Sequence, residues 1–85
     1  MHGLDMWTVY VLRSLVNKRL YTGCTNDINR RLKEHNSGQT TYTKRTRPFE
    51  LIYKEIYNTR LEAGRRERFL KSGKGRELLK EILGT

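Results

Sequence analysis

The run Met6-Trp-Thr-Val-Tyr-Val-Leu12 decides how the rest of the chain can fold. It is rich in β-branched and aromatic residues and is short, which favours a largely buried strand over a helix. Because side chains alternate along a strand, Trp7, Val9 and Val11 share one face. Tyr10 is thereby predicted to lie on the opposite face.

A second strand follows at once. The polar segment Arg13 to Arg19 turns the chain, and Leu20 to Cys24 is predicted to be a strand that pairs antiparallel with the first. This pairing places Tyr10 and Tyr21 on neighbouring strands.

A helix is predicted from Ile28 to Asn36, because capping side chains precede it and Ser37-Gly38 ends it. At 100° per residue, the side chains of Ile28, Arg31, Leu32 and His35 fall within one arc of about 100°. We therefore expect Arg31 and His35 to face the sheet.

The second half of the chain is predicted to form a third strand and two further helices. Phe49 to Tyr57 is the strand, and Thr59 with Glu62 three residues later is a capping-box signature for a helix that runs to about Lys71. Ser72-Gly73-Lys74-Gly75 is expected to break that helix, and Arg76 to Leu83 to form the last one.

The first of these helices carries one carboxylate on its inner strip. Ala63, Glu67 and Leu70 occupy positions i, i+4 and i+7, so Glu67 shares a face with two apolar residues and is expected to point inward. The alternative is an exposed glutamate that pairs with a cation such as Arg60 or Lys71.

Length and charge limit the possible partners. At 85 residues the chain is expected to form one domain over 6–83, with a short tail at 1–5. Lysine and arginine number 18 against nine acidic residues, which gives a net charge of +9. A basic chain of this kind favours polyanionic partners such as nucleic acid, although charge alone does not identify a function.

Cysteine use and the N-terminus indicate the compartment. Cys24 is the only cysteine, so an internal disulfide and a cysteine-rich metal site are both excluded. The apolar stretch after residue 5 is too short for a signal sequence or a membrane span. We expect a cytoplasmic protein with no membrane partner and no disulfide partner.

In order and spacing, these features resemble the GIY-YIG nucleases. The resemblance extends from Trp7 to about Leu79 and is greatest with the small stand-alone bacterial endonucleases of that family. It rests on Thr8-Val9-Tyr10, Tyr21-Thr22-Gly23, Arg31, His35-Asn36-Ser37-Gly38, Glu67 and Leu70-Lys71-Ser72-Gly73.

The resemblance implies an α/β (α+β) fold, with a three-stranded antiparallel sheet flanked by helices. It also implies an endonuclease that hydrolyses phosphodiester bonds of DNA with a divalent metal, Mg²⁺ or Mn²⁺. Tyr21 would orient or deprotonate the attacking water, and Tyr10 would hold Tyr21 or that water in place. Arg31 would bind phosphate, His35 would support the site by bonding phosphate or moving a proton, and Glu67 would bind the metal.

Each of these residues also has a structural explanation. Tyr10 and Tyr21 could be packed tyrosines with their hydroxyls bonded to backbone, and His35 could be a satisfied core histidine. Arg31 could form a buried ion pair with a carboxylate such as Glu67.

The sequence departs from the family pattern at several positions. The first triplet is Thr-Val-Tyr rather than Gly-Ile-Tyr, Thr22 replaces an apolar residue, and Cys24 stands where some members carry lysine. No asparagine follows Asn58, although many members place one near the phosphate after the metal-binding glutamate.

A basic surface would serve either a nuclease or a binding module. The loop Gln39 to Pro48 contains hydroxyls and cations with no apolar periodicity, as expected of a loop that contacts a polyanion. The alternative function is a non-catalytic module that binds DNA or RNA, and association with RNA is a weaker third possibility. The predicted nucleic-acid contacts are Tyr42, Lys44, Arg45, Arg47, Arg65, Arg66, Arg68 and Lys71.

Overall fold

The computed structural model describes residues 6–39 and 44–84. In these ranges the chain forms three strands and three helices. They are β1 (Trp7–Ser14), β2 (Leu20–Thr25), α1 (Ile28–Ser37), β3 (Phe49–Tyr57), α2 (Arg60–Lys71) and α3 (Gly73–Leu83). The predicted tail at 1–5 lies outside the described residues.

The strands form one antiparallel sheet in the order β2-β1-β3. Between β1 and β2, Tyr10 lies opposite Gly23 and Leu12 lies opposite Tyr21. Between β1 and β3 the pairing starts with Trp7 opposite Tyr57 and shifts by one residue after Val11. The predicted three-stranded sheet is confirmed, and β1 is its central strand because apolar side chains cover both of its faces.

One face of the sheet is covered by α2 and α3. Val9 and Val11 of β1 are fully buried there against Ala63 and Leu70 of α2 and Leu79 of α3. Removing apolar surface of this kind from water is the main stabilising contribution to a small fold. The strand face predicted to carry both Val9 and Val11 therefore contributes the larger part of the core.

The opposite face is covered by α1. Tyr10, Leu12 and Phe49 form a second buried cluster, and Ile28 and Leu32 of α1 pack against it. The helix arc predicted from the sequence is confirmed, because α1 lies on the sheet through that arc. Tyr10 therefore lies under α1.

The boundary between α2 and α3 differs from the prediction. A break over Ser72–Gly75 was expected, but α3 begins at Gly73 and a single residue separates the two helices. The Ser72 hydroxyl donates a hydrogen bond to the Phe69 carbonyl at the end of α2 and accepts one from the Gly75 amide in α3. One serine caps both helices, so the two glycines lie in the first turn of α3.

The turn between β1 and β2 is fixed by a buried serine. The Ser14 hydroxyl accepts hydrogen bonds from the amides of Val16 and Asn17 and donates to the Thr46 carbonyl at 2.6 Å. This network ties the β1–β2 turn to the segment that precedes β3. Within the turn, Lys18 has a left-handed backbone with φ 65°.

None of the helices within residues 6–39 and 44–84 has the length and apolar character needed to cross a membrane.

Candidate functional site

Tyr10 lies across Gly23 on the α1 side of the sheet. The two residues are directly opposite each other in the β1–β2 pairing. A Cβ atom at position 23 would collide with the hydroxyl and ring of Tyr10. Only glycine leaves space for the phenol at this position, so the second triplet of the sequence needs its glycine for steric reasons.

A hydrogen-bonded chain connects α1 to Tyr10. The Tyr10 hydroxyl lies 3.1 Å from Nε2 of His35, and the Arg31 guanidinium is near enough to the same phenol to influence its pKa. In the bond between Tyr10 and His35, the imidazole tautomer decides which group donates. Arg31 and His35 are four residues apart on α1, which places both above the same phenol.

Burial governs the protonation of this chain. It raises the pKa of Tyr10 above the ordinary phenol value, although the hydrogen bond and charge of Arg31 act in the opposite direction. It lowers the pKa of His35, and the positive charge of Arg31 lowers it further. At neutral pH Tyr10 is therefore a protonated phenol and His35 an uncharged imidazole.

Neither His35 nor Tyr10 is accessible to a large substrate. His35 is 0% exposed and Tyr10 is 1% exposed. The imidazole packs edge-on against the rings of Tyr21 and Phe49, at 5.0 and 6.1 Å between ring centroids. The direct phosphate contact considered for His35 does not fit this burial, and its geometry suits a positioning role.

Tyr21 is the phenol that the site presents to solvent. It lies on β2, the edge strand, and its side chain is half-buried. Its ring rests against His35, but within the described parts of the chain its hydroxyl has no hydrogen-bond partner. Of the two tyrosines, Tyr21 is therefore the one able to contact a water molecule or a phosphate.

Arg31 is held in place and still reachable. Its side chain is 34% exposed, and it forms an ion pair with Glu34 at 3.0 Å. Hydrogen bonds to Tyr10 and Glu34 raise the pKa of its guanidinium, so it is permanently charged. The considered pairing of Arg31 with Glu67 is not observed.

Glu67 lies on α2, beside the edge strand. Its carboxylate accepts a hydrogen bond from Lys71 at 2.8 Å, one turn further along the helix. It lines a shallow groove of about 510 Å³ that also contains Trp7 and Cys24. Its negative charge is near enough to raise the pKa of both Tyr10 and Cys24, after the larger effect of burial.

The donors around Glu67 suit a hydrated cation rather than a closed metal site. Residues 6–39 and 44–84 contain no group of three or more His, Cys, Asp or Glu side chains arranged to hold a metal ion. Cys24 is a soft ligand whose thiol pKa is raised by burial, so it contributes little to a hard cation. A single carboxylate fits Mg²⁺ or Mn²⁺, which keep several waters and bind substrate phosphate.

The predicted nucleic-acid contacts separate into several groups. Lys44, Arg45 and Arg47 are exposed in the segment before β3, and Tyr42 lies outside the described residues. The Arg47 guanidinium sits against Gly38 at the end of α1, where a Cβ atom would collide with it.

The remaining predicted contacts lie on α2. Arg65 and Arg68 are exposed, and Lys71 is bound to Glu67. Arg66 differs from the prediction, because its guanidinium bonds both oxygens of Glu55 at 2.9 and 3.1 Å. This ion pair leaves Arg66 with a structural role in place of a phosphate contact.

The Glu55 cluster was missed by the sequence analysis. Besides Arg66, the hydroxyls of Tyr53 and Tyr57 both donate to this carboxylate. Burial raises the pKa of Glu55, but the hydrogen bonds from Arg66, Tyr53 and Tyr57 outweigh it and leave the pKa below the ordinary value. The spacing of two residues between Tyr53, Glu55 and Tyr57 on a strand was the available signal, because it places all three on one face.

Comparison with known proteins agrees with this arrangement. A model of the GIY-YIG catalytic domain matches residues 6–80. The UPF0213 protein of Staphylococcus aureus strain Mu3 is 41% identical over 70 residues, which cover 81% of this chain and 84% of that protein. UPF0213 protein MW0443 of strain MW2 has the same identity and coverage.

A solved structure is similar as well. The solution NMR structure of the UPF0213 protein BH0048 from Bacillus halodurans has a TM-score of 0.56 and 34% sequence identity. The similarity covers 91% of this chain and 84% of that one. Fold and sequence therefore identify the same family.

Proposed function

The chain belongs to the GIY-YIG family, and on that premise we propose that it is a metal-dependent endonuclease that hydrolyses phosphodiester bonds of DNA in the cytoplasm. The observation that carries the proposal is the half-buried phenol of Tyr21, which packs against His35 one helical turn from the Arg31 guanidinium. Tyr21 has an unpartnered hydroxyl within the described residues, and Arg31 is held by its ion pair with Glu34.

Phosphodiester hydrolysis needs two functions that these residues can supply. Negative charge develops on the phosphoryl oxygens, and the Arg31 guanidinium can neutralise it through two parallel hydrogen bonds. An attacking water must be oriented, and the free hydroxyl of Tyr21 can bond it. Tyr10 and His35 are both buried and pack behind the ring of Tyr21.

Glu67 is the residue proposed to hold the cation. When bound, Mg²⁺ or Mn²⁺ supplies Lewis-acid stabilisation of the phosphate and its leaving oxygen. Lys71 occupies one oxygen of the Glu67 carboxylate, so this ammonium competes with the cation. Within the described ranges the other carboxylate oxygen accepts no hydrogen bond and is available for a hydrated ion.

Plasmid nicking with matched variants tests this proposal. Arg31→Ala is compared with Arg30→Ala, which removes the same charge from the same helix at an exposed position. Glu67→Gln is compared with Glu77→Gln, an exposed glutamate on α3. We expect nicking that requires Mg²⁺ or Mn²⁺, and losses of about 100-fold or more in Arg31→Ala and Glu67→Gln with little change in the controls.

Two results would overturn the assignment. Equal nicking by all five proteins would identify a contaminating nuclease as the source of activity. Equal losses in Arg31→Ala and Arg30→Ala would mean that only the net charge of α1 matters.

A binding module is the second candidate function, and the ion pair between Lys71 and Glu67 favours it. An ammonium bound to the only carboxylate proposed for the metal is compatible with a chain that holds DNA without cutting it. Salt-dependent DNA binding without turnover, unaffected by Glu67→Gln, is the result expected of this alternative.

A further inference from the structure

A cationic groove runs from Tyr21 between the β1–β2 turn and the helices α2 and α3. Its volume is about 660 Å³, and no carboxylate lines it. Most of it was not predicted from the sequence, because its charges come from three separate segments. The cations that line it are Lys18, Arg19, Lys71, Arg76 and Lys80.

Most of these charges are not neutralised. Lys18, Arg19, Arg76 and Lys80 are exposed, and within residues 6–39 and 44–84 none of them forms an ion pair. Lys71 is the exception, since it is bound to Glu67. Uncompensated cations that face one groove create a positive potential that attracts a polyanion.

The cations form two walls. On one side Lys18 and Arg19 lie in the turn, where the left-handed backbone of Lys18 and a hydrogen bond from the Arg19 amide to Asn17 shape the main chain. On the other side Arg76 and Lys80 are four residues apart on α3 and therefore share one helical face. Each wall is supported by regular structure.

Between the walls the groove is apolar. Leu70 and Leu79 lie beneath it and are buried, and Leu20 is the apolar side chain that is exposed, at 45%. Tyr21 borders the groove on the edge strand β2, and its ring lies against His35 on the α1 side of the sheet. Cationic walls beside exposed apolar surface suit single-stranded nucleic acid, where phosphates meet the walls and base faces can contact Leu20.

We propose that this groove binds an unpaired DNA strand and leads it to Tyr21, so that the substrate of the enzyme carries a single-stranded segment. This inference rests on the proposed function for the position of the scissile bond. A duplex fits the groove less well, because its bases are stacked inside the helix and would leave the exposed Leu20 in contact with water. The cations favour a nucleic acid, and the exposed Leu20 between them favours an unpaired strand.

Fluorescence anisotropy tests the groove without any cleavage. A labelled oligothymidylate and a duplex of the same length are titrated, without metal, against Glu67→Gln protein and two derivatives of it. One derivative carries R76Q/K80Q. The other carries K33Q/K54Q, which removes the same charge from exposed positions on α1 and β3.

We expect R76Q/K80Q to bind the single strand roughly ten-fold more weakly, and the duplex with a smaller loss. Its salt slope on the single strand is expected to fall by about 1.4, since each phosphate contact on a single strand contributes about 0.7. The opposite wall gives an independent test, in which K18N removes a charge and keeps a residue that tolerates the left-handed backbone. This variant is expected to weaken single-strand binding in the same direction.

Equal losses in R76Q/K80Q and K33Q/K54Q would overturn the proposal, since net charge would then explain binding. Equal losses on duplex and single strand would overturn the choice of an unpaired strand. Because these titrations need no turnover, they remain decisive if nicking fails. Conversely, the protein could nick DNA in a metal-dependent way while R76Q/K80Q binds the single strand as tightly as its Glu67→Gln parent. That result would reject the groove proposal and leave the nuclease proposal standing.

Discussion

The Tyr10 phenol occupies the space that a side chain at position 23 would fill. Tyr10 and Gly23 pair across β1 and β2, and a Cβ atom on Gly23 would collide with the hydroxyl oxygen of Tyr10. The hydroxyl is at the same time the group that bonds His35, and the charge of Arg31 acts on it. A steric requirement in the sheet therefore determines where the phenol meets the inner face of α1.

Gly23→Ala is predicted to displace Tyr10 and so to disturb both stability and activity. Overpacking at a buried position costs about 1 to 3 kcal/mol of unfolding free energy. Gly64→Ala is the matched control, because a Cβ atom in the middle of α2 meets nothing within 4 Å. In a helix interior that change is expected to stabilise by about 0.5 to 1 kcal/mol.

Urea denaturation and plasmid nicking measure the two effects. Gly23→Ala is expected to lose both stability and nicking, while Gly64→Ala keeps its activity. A Gly23→Ala variant as stable and active as the parent would show that the phenol does not need this space.

Tyr10→Phe is predicted to slow nicking about ten-fold with little loss of DNA affinity. The ring still fills the space beside Gly23, but the hydrogen bond to His35 and the polar group that faces Arg31 are lost, and such an interaction contributes about 1.5 kcal/mol. Tyr57→Phe is the control, since it removes a hydroxyl that bonds Glu55. A Tyr10→Phe enzyme at full rate would mean that Arg31 does not depend on the phenol for its position.

Local pattern was sufficient for most of the fold. The alternation in β1 and the arc on α1 identified both faces of the sheet, because burial selects apolar residues at the period of each element. The end of α1 at Gly38 was predicted from the residue type alone, and its φ of 84° explains why glycine is there. The predicted start of α3 was wrong. Two glycines after Ser72 indicate a break in the chain's helical structure unless it is known that Ser72 caps both helices.

Features that join distant segments could not be predicted in the same way. The sequence predicted Tyr21 beside Tyr10 and His35 facing the sheet, but not the contact between the rings of Tyr21 and His35. The cationic groove combines the β1–β2 turn with α3, and nothing local in either segment indicates the other. The sequence alone does not distinguish Arg66 from the exposed cations of α2, because its partner Glu55 lies on β3.

Ser72→Ala is predicted to destabilise the protein by about 1 kcal/mol or somewhat more, because one hydroxyl caps two helices. Ser37→Ala is the control, since its exposed hydroxyl bonds only the Glu34 carbonyl in its own helix. Gly75→Ala is expected to cost more than either, because a Cβ atom would collide with the backbone of Phe69 and Leu70. Denaturant midpoints measure all three, and equal midpoints for Ser72→Ala and Ser37→Ala would contradict the double cap.

Lys71→Gln is predicted to lower the concentration of Mg²⁺ needed for half-maximal nicking. It removes the ammonium bound to Glu67, and an exposed i,i+4 ion pair contributes only about 0.3 to 0.5 kcal/mol, so the expected shift is about two-fold. Lys74→Gln removes the same charge from an exposed position on α3. A Mg²⁺ titration at saturating DNA compares the two, and identical shifts would mean that the ammonium does not compete for the carboxylate.

Because of the Glu55 cluster, the protein is predicted to lose stability at both ends of the pH scale. Because the pKa of Glu55 is held below its ordinary value by Arg66 and two tyrosines, against the opposing effect of burial, its ionised form stabilises the fold above the unfolded pKa of about 4.5. That contribution is lost as pH falls through the lower folded value. Burial and the hydrogen bond to Glu55 raise the pKa of Tyr57 to about 12. The native state therefore keeps the Tyr57 proton, and stability falls as pH rises from 10 towards 12.

Denaturant unfolding across the pH range, with tyrosinate absorbance at the alkaline end, measures both losses. Glu55→Gln is expected to cost about 2 kcal/mol at neutral pH, because hydrogen bonds to a charged group are lost. It should also flatten the acid side of the profile. Tyr57→Phe should remove the part of the alkaline loss that belongs to Tyr57, and leave nicking unchanged, because the cluster lies away from Tyr21. An acid limb as steep in Glu55→Gln as in the parent would assign the acid sensitivity to other carboxylates.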